Sequence, residues 1–370
     1  MKIAMLSFAD INNYGDIMFS HIFNLEMRKR FPDIKIDFFT PTEIELDGIN
    51  YNGYLKERLE TNYDAIVLAG GEVIHLFDER TWIPIYEKQN KKILSTNASD
   101  IVWGWSDLNI PFKAWLSVGV RPFGDKWDEE KIKTTINNLD YISCRGILSK
   151  KILEESNFEL FNPKINLTPD LGWIFPNYID NLGLRGKLYC NYIKENTNYL
   201  LFQVHNITEK EGKDISEKLL RIKKEYGFEI LLMPVIHLWE DEKYLNQINH
   251  FSNDEFLVLP NNLTVIEMLD IILNSKMTIT SSLHVAITAL ADGIPASVFN
   301  KWQGSKFQDL YGLQFRTNAL FSDISQFDAV FSLLNFESEN SNSLIQYSKY
   351  MKSKLADVFD DFSNKMLINL

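Results

Sequence analysis

The sequence predicts an α/β protein with two Rossmann-like domains that face each other across a cleft. Short aliphatic and β-branched runs alternate with segments of helical periodicity along most of the chain, as in βα units with parallel sheets. An aperiodic stretch at 171–188, which contains proline and glycine, separates two such series. We therefore predict an N-terminal domain at 1–178 and a C-terminal domain at 179–340. A last amphipathic helix, 341–370, is predicted to pack back on the N-terminal domain.

The predicted strands are short and mostly continuous in aliphatic residues, which is typical of parallel strands buried on both faces. They are 2–8, 35–40, 64–69, 114–120, 141–144, 199–204, 229–235, 256–259, 277–280 and 297–299. The predicted helices are 17–30, 131–140, 148–155, 214–226, 246–251, 264–274, 283–290, 324–335 and 343–364. The segment 78–111 fits neither pattern. Its Trp82, Trp103 and Trp105 either line an acceptor groove or anchor an irregular loop.

Composition narrows the functional classes. The formal net charge is −12 over 370 residues, which argues against a broad nucleic-acid surface but allows a small anionic ligand held by a few cations. Cys144 and Cys190 are too few for a disulfide framework, so a reducing compartment fits. No apolar run reaches the roughly 18 residues of a membrane span, and 1–10 is too short for a signal peptide. We expect a cytoplasmic protein without a transmembrane segment, with the inner face of the membrane as an alternative location.

The stretch Met277–Pro295 carries the strongest local signal. A β-branched strand is followed by Ser281 and Ser282, either of which is a natural N-cap, and then by an apolar helix that ends at Asp-Gly. His284 therefore falls in the first helical turn, beside backbone N–H groups and the positive end of the helix dipole. This arrangement predicts an anion site with a titratable side chain. The alternative is a buried helix whose histidine only caps or packs.

Further candidates follow strands in the first half, where open α/β sheets bind ligands. Asp16 lies at the start of the first helix, as a ligand contact or a simple N-cap. Gly70-Gly71 allows close approach of a ligand or forms a tight turn. Arg121 and Arg145 each follow a strand. Arg145 is predicted to bind an anion, with an ordinary surface arginine as the alternative.

Three histidines follow strands in the second half: His205, His237 and His284. Because neighbouring parallel strands end at one edge, all three side chains could converge there. For His205 and His237 the alternative is a polar loop or core role. The acidic pair Asp241-Glu242 lacks metal-ligand spacing, and we predict no metal site.

Four motifs in order carry a family resemblance. Along the chain they are Asn13–Asp16 (NYGD), Asp64–Glu72 (DAIVLAGGE), Ser143–Ser149 (SCRGILS) followed by Thr168–Asp170, and Thr280–Ala296 (TSSLHVAITALADGIPA). This order and spacing resembles the polysaccharide pyruvyltransferase family, over about residues 1–313. The two-domain layout is of the GT-B type, and the resemblance implies the same fold.

The resemblance implies a reaction as well. The family moves the enolpyruvyl group of phosphoenolpyruvate onto two hydroxyls of a sugar, giving a cyclic pyruvate ketal and phosphate, in the biosynthesis of cell-surface polysaccharides. Phosphoenolpyruvate is then a co-substrate, and no other cofactor is expected. The expected acceptor is a saccharide, either lipid-linked or nucleotide-linked.

The resemblance also implies roles for residues. Arg145, His284 and Lys306 match donor-binding positions, although Lys301 competes with Lys306 because the interval after the histidine is longer here. His284 and Asp16 are the candidate catalytic groups. Asp16, on the N-terminal side expected to hold the acceptor, is the candidate base.

Neighbours of these motif residues are assigned with them. Ser281 and Ser282 are assigned to the donor, and Asn13 is an additional candidate. The sequence departs from the family at Glu72, which replaces a third glycine. It departs again at Ser282, where some members carry arginine.

Two other functions stay open at this point. A GT-B glycosyltransferase would place a nucleotide-sugar diphosphate at the same helix start. A non-catalytic carbohydrate-binding protein could keep the fold without the reaction.

Overall fold

The structure of the protein is a computed structural model. It describes residues 1–60, 63–74, 79–89, 91–95, 97–121, 129–155, 164–236, 240–301, 304, 306–309 and 316–370.

Within these residues, the first half builds one sheet from β1 Lys2–Leu6, β2 Lys35–Thr40, β3 Ile44–Leu46, β4 Ile49–Gly53, β5 Ala65–Ala69, β6 Phe112–Val118, β7 Tyr141–Cys144 and β8 Ile165–Leu167. The strand order is β3-β4-β2-β1-β5-β6-β7-β8. All pairings are parallel except β3 with β4. β1 and β5 lie at the centre and are almost entirely aliphatic, because helices cover both faces of a parallel sheet.

The helices that accompany this sheet are α1 Tyr14–Arg30, α2 Lys56–Leu59, α3 Glu79–Lys88, α4 Asp100–Trp103, α5 Glu129–Asn137 and α6 Ile147–Glu155, with a 3-10 turn at Ala9–Ile11.

The second half builds a separate sheet from β9 Tyr199–Gln203, β10 Glu229–Leu232, β11 Leu257–Val258, β12 Met277–Thr280, β13 Ala296–Phe299 and β14 Leu320–Phe321. Its order is β11-β10-β9-β12-β13-β14, and every pairing is parallel. In the described residues no strand joins the two sheets, so the prediction of an α/β protein with two Rossmann-like sheets is confirmed.

The helices of the second half are α7 Pro176–Leu182, α8 Glu209–Tyr226, α9 Asp241–Phe251, α10 Val265–Leu273, α11 Leu283–Leu290, α12 Phe327–Glu339 and α13 Asn342–Asn369, with 3-10 turns at Leu171–Ile174, Tyr189–Asn191, Thr317–Ala319 and Ile324–Gln326. Capping boxes at Thr208 and Thr264 begin α8 and α10, each with glutamate three residues later. None of the helices in the described residues is both long and apolar enough to cross a membrane.

The chain divides into two compact units. The first unit is Met1–Asn12, Asp16–Leu171 and Ser353–Leu370, and the second is Asn13–Gly15 and Gly172–Lys352. Helix α13 is thus divided: Phe362 in its last turns packs edge-on against Phe23, Phe112 and Tyr141 of the first unit. Ser348, in its first half, donates a hydrogen bond to the carbonyl of Ala291 in the second unit. The domain limits predicted from the sequence stay predictions.

The stretch 171–188, interpreted as a linker, is folded. Pro176 begins α7, and Gly183 ends it with φ +64°, a left-handed conformation that glycine adopts without strain. The buried carboxylate of Asp270 on α10 then accepts hydrogen bonds from the N–H groups of Gly186, Leu188 and Tyr189, all between 2.7 and 2.9 Å. The sequence did not predict this structure, because α7 is too short to show helical periodicity and because Asp270, which anchors 186–189, lies far away in the sequence.

The tryptophans of the unassigned segment belong to the core. Trp105 is fully buried and donates to the carbonyl of Ile101, and Trp103 packs edge-on against Trp115 at 5.6 Å between ring centroids. The groove interpretation is therefore wrong for Trp103 and Trp105. The side chain of Trp82 lies outside the described residues.

Candidate functional site

The turn from β12 into α11 is built as its residue types predict, with one difference. Ser282 is the N-cap residue, with extended backbone (φ −96°, ψ 122°), but its side chain makes no capping hydrogen bond. The hydroxyl of Thr280 instead accepts from the N–H of Ser282 at 2.8 Å. The N–H of Ser281 is bonded to Gln203. These two N–H groups are therefore used inside the protein, so an anion at this helix start would be held from Leu283 onward.

His284 lies in the first turn of α11, half-buried, and packs against the backbone of Gly15. A Cβ placed on Gly15 would lie 2.0 Å from Nδ1 of His284 and 2.7 Å from Cε1. A side chain at that position would force the imidazole to move, because real Cβ atoms do not approach so closely. The glycine of the NYGD motif therefore allows the backbone to lie directly against the imidazole. The sequence analysis missed this role because the contact joins distant parts of the chain.

The segment Asn13–Gly15 is fixed to the second unit at several points. Asn13 forms an antiparallel bridge with Ile236. The hydroxyl of Tyr14 shares a hydrogen bond of 3.0 Å with the hydroxyl of Thr288 on α11. The side chain of Asn13 accepts from the N–H of Gly15 at 3.2 Å. Asn13, an additional site candidate, thus shapes the segment that lies against His284.

The two candidate lysines of the second unit differ in their contacts. Lys301 is ion-paired with Glu211 at 2.7 Å and donates to the carbonyl of Asn206 at 3.2 Å. Glu211 already serves the capping box of α8, so Lys301 is part of that structure. Lys306 lies in the short helical stretch 306–309 with its ammonium 5.0 Å from the ring centroid of Phe307.

The charge of Lys306 also influences the pKa of His205. Burial lowers the pKa of His205 to about 4, and the charge of Lys306 contributes to this. His205 is therefore neutral at pH 7 and lies near the lysine that the family pattern assigns to the donor. The position after a predicted strand was the only signal for His205. His237 lies outside the described residues.

In the first unit, Asp16 is the third residue of α1 and lies near the Gly70-Gly71 turn. A Cβ on Gly71 would be 3.4 Å from Oδ1 of Asp16, and a Cβ on Gly70 would overlap the ring of Phe19 at 2.4 Å. Both glycines have positive φ, +69° and +74°. Tight-turn geometry therefore accounts for the glycine pair.

Arg145 is not a surface residue. Its side chain is 3% exposed and forms an ion pair of 2.7 Å with Asp170, which is completely buried. Gly119 makes room for it, since a Cβ there would lie 2.9 Å from Nε of Arg145. The surface alternative is wrong, and the positive charge is balanced within the first unit.

Arg121 is neutralised in a similar way. Its Nε lies 2.5 Å from Oε2 of Glu72, and Arg121 is half-exposed while Glu72 is mostly buried. Glu72 is the residue that replaces a third glycine of the family motif. The departure at this position thus supplies a partner for Arg121.

The first unit also contains a buried acid that the sequence analysis missed. Asp10 follows β1 and accepts hydrogen bonds from the N–H and hydroxyl of Thr42, at 3.0 and 2.8 Å, and from the hydroxyl of Tyr86 at 3.3 Å. Burial raises its pKa to about 6, against the opposing effect of these hydrogen bonds. In the part of the chain that the structure describes, no group of three or more His, Cys, Asp or Glu side chains is placed to hold a metal ion.

Comparison with known proteins agrees with the motif order. Residues 13–300 match the family model described as polysaccharide pyruvyl transferase. A search among curated proteins gave no significant match.

Two similar solved structures are UDP-GlcNAc 2-epimerases. The enzyme from Methanocaldococcus jannaschii is 15% identical, with a TM-score of 0.58 over 95% of this chain and 100% of its own. The Neisseria meningitidis enzyme bound to UDP-GlcNAc is 13% identical, with a TM-score of 0.57 over 96% of this chain and 100% of its own. At these identities the likeness is one of fold, which is GT-B-like. By its family match, this chain belongs to the polysaccharide pyruvyl transferase family.

Proposed function

We propose that this protein transfers the enolpyruvyl group of phosphoenolpyruvate to two hydroxyls of a saccharide, forming a cyclic pyruvate ketal and inorganic phosphate. The observation that carries the proposal is His284 at the start of α11, inside a family match that covers residues 13–300. The helix dipole favours an anion at this position, and phosphoenolpyruvate carries both a carboxylate and a phosphate.

The proposed chemistry assigns protons as follows. His284 gives a proton to the methylene carbon of phosphoenolpyruvate, and a first hydroxyl oxygen bonds to the adjacent carbon while Asp16 takes its proton. The bond between that carbon and the phosphate oxygen then breaks, and the second hydroxyl oxygen takes its place. The two hydroxyl protons replace the proton given to carbon and the proton carried away by phosphate, so the sum balances.

The candidate cations are assigned different roles. We assign the donor phosphate to Lys306, which matches the donor position of the family, together with Leu283 and His284 at the helix start; Lys301 is ion-paired with Glu211. Ser281 and Ser282 remain donor candidates through their hydroxyls. Arg145 matches a donor residue of the family, yet its pairing with Asp170 means that it adds little net charge for a trianion.

Acceptor and location belong to the same proposal. The acceptor is a lipid-linked or nucleotide-linked saccharide destined for a cell-surface polysaccharide. The reaction would take place in the cytoplasm or at the inner face of the membrane.

The test is phosphate release from phosphoenolpyruvate with a panel of lipid-linked and nucleotide-linked saccharides, and mass spectrometry of the products. We expect phosphate release only with an acceptor, together with a ketal-sized mass gain on that acceptor. Consumption of a nucleotide sugar without phosphoenolpyruvate would support a glycosyltransferase instead. Saccharide binding without turnover of either donor would support a carbohydrate-binding protein.

A further inference from the structure

A buried polar side chain lies directly beneath the turn that presents His284. Gln203 is the last residue of β9, is completely buried and is paired in register with Thr280 of β12. Its side-chain Oε1 accepts from the hydroxyl of Thr280 at 2.6 Å and from the N–H of Ser281 at 3.0 Å. Its main-chain carbonyl accepts from the same N–H at 2.9 Å. Gln203 therefore fixes both residues that lead from strand to turn.

The hydrogen bonds run in one direction. The N–H of Ser282 donates to the hydroxyl of Thr280, that hydroxyl donates to Oε1 of Gln203, and Nε2 of Gln203 donates to Oδ2 of Asp241 at 2.8 Å. A carboxamide has a single acceptor oxygen, which the turn already uses. Its nitrogen must then meet an acceptor, and the carboxylate of Asp241 supplies one.

The same carboxylate oxygen holds a second part of the site. Asp241 begins α9 and is 1% exposed, and its Oδ2 also accepts from the N–H groups of Val235 and Ile236 at 3.1 Å each. Residues 235–236 are the stretch that receives the segment Asn13–Gly15. The N–H of Tyr14 donates to the carbonyl of Val235 at 3.4 Å, and Asn13 bridges to Ile236.

One acid is thus linked to two segments that bear on His284. Through Gln203 and Thr280, Asp241 is connected to the turn before His284. Through residues 235–236, it is connected to the segment whose Gly15 packs on the imidazole ring.

We infer that Gln203 and Asp241 are positioning residues, which set the orientation of His284 without touching the substrate. The inference rests on the proposed function for its kinetic readout. Burial raises the pKa of Asp241 to about 6, against the opposing effect of its three hydrogen bonds. A displacement of about 1 Å at a reacting group can cost on the order of 100-fold in rate.

The experiment compares four single variants and one double variant. Asp241→Asn keeps an oxygen acceptor for all three donors to Oδ2, and its amide nitrogen replaces Oδ1, which has no hydrogen-bond partner among the described residues. Asp241→Ala and Gln203→Met remove the connection, and the methionine keeps the length of the glutamine. Asp270→Ala is the matched control, because Asp270 is equally buried but holds 186–189.

We expect kcat/KM for phosphoenolpyruvate to fall about 10- to 100-fold in Asp241→Ala and Gln203→Met, and to stay within about 3-fold in Asp241→Asn. The double variant Gln203→Met/Asp241→Ala should lose less than the product of the two single losses, because the two residues share the hydrogen bond that links Asp241 to the turn. Asp270→Ala should lower the thermal midpoint and leave kcat/KM of the folded enzyme within about 2-fold.

Hydrogen exchange provides a readout that does not need the reaction. The amides of Ser281 and Ser282 should exchange faster in Asp241→Ala and Gln203→Met than in the wild type. They should exchange at the wild-type rate in Asp241→Asn and in Asp270→Ala. If the wild-type protein lacks pyruvyl transfer, the proposed function fails while this exchange test still judges the positioning. Unchanged exchange and activity in Asp241→Ala would overturn the inference, as would equal damage in Asp241→Asn and Asp241→Ala.

Discussion

The charged side chains that follow the strands have different surroundings in the two sheets. In the first unit the candidate cations are paired at short distance: Arg145 with the buried Asp170 and Arg121 with Glu72. In the second unit His284 is held by the backbone of Gly15 and by the hydrogen-bonded turn before it. A paired cation contributes little net field to an anionic ligand, whereas the start of α11 presents backbone N–H groups and the positive end of a helix dipole, which favour an anion. This difference favours the second unit as the place of the donor.

The largest effect is expected from His284→Ala. Loss of the acid should reduce turnover by roughly 30- to 1000-fold, which is 2–4 kcal/mol of transition-state stabilisation. Its fold should be intact by circular dichroism. His250→Ala, at an exposed position in the same unit, is the control and should keep full activity. Activity of His284→Ala within a few-fold of wild type would remove His284 from the mechanism.

Arg145→Ala should lower the stability of the fold, unlike His284→Ala. Removing one partner of a buried ion pair leaves the other charge uncompensated, so we expect a loss of about 3–5 kcal/mol in the free energy of unfolding. Arg121→Ala is the control, because its pair is half-exposed and should cost no more than about 1 kcal/mol. Urea unfolding measures both. If Arg145→Ala is fully stable but no longer binds phosphoenolpyruvate, the main role of Arg145 is to bind the donor and not to stabilise the fold.

Gly15→Ala tests the contact that fixes the imidazole. The added methyl group would lie 2.0 Å from Nδ1 of His284, so the ring must move. We expect kcat/KM to fall about 10- to 100-fold. Gly212→Ala in α8 is the matched control, since its Cβ would meet atoms no closer than 3.5 Å and alanine favours helix. Equal activity of the two variants would contradict the packing role.

Local residue types account for much of what could be predicted. The strand Met277–Thr280 and the helix Leu283–Leu290 were predicted with their observed limits, because a β-branched run, a turn and an apolar helix follow in order. The strands Ile44–Leu46 and Ile49–Gly53 were missed, because they are only three and five residues long.

The site was less predictable than the fold. The positions of His284 and Asp16 at helix starts follow from local sequence. The contact of Gly15 with His284 and the bond between Gln203 and Asp241 do not, because they depend on packing between segments far apart in the chain. The buried pairing of Arg145 was likewise invisible without knowledge of where Asp170 lies.

A smaller effect concerns pH, since each unit contains a buried acid with a raised pKa: Asp10 in the first and Asp241 in the second, both about 6. The folded state binds these protons more tightly than the unfolded state, so each acid adds stability as the pH falls from about 6 towards 4. Between pH 7 and 5, the unfolding free energy of wild type should gain about 1 kcal/mol relative to Asp10→Asn, and similarly for Asp241→Asn. Urea titrations at the two pH values would show it. A constant difference would contradict the raised pKa.

The assignment of the donor to the second unit is tested most directly by calorimetric titration of phosphoenolpyruvate into Lys306→Ala and Asp16→Asn. A carboxylate such as Asp16 repels a trianionic donor and suits a neutral hydroxyl, whereas the ammonium of Lys306 attracts the phosphate. Lys306→Ala should weaken binding about 10-fold. Lys301→Ala should not, because Lys301 is paired with Glu211. Asp16→Asn should keep the wild-type affinity and lose turnover. Loss of phosphoenolpyruvate binding in Asp16→Asn, with wild-type binding in Lys306→Ala, would contradict the assignment of the donor to the second unit.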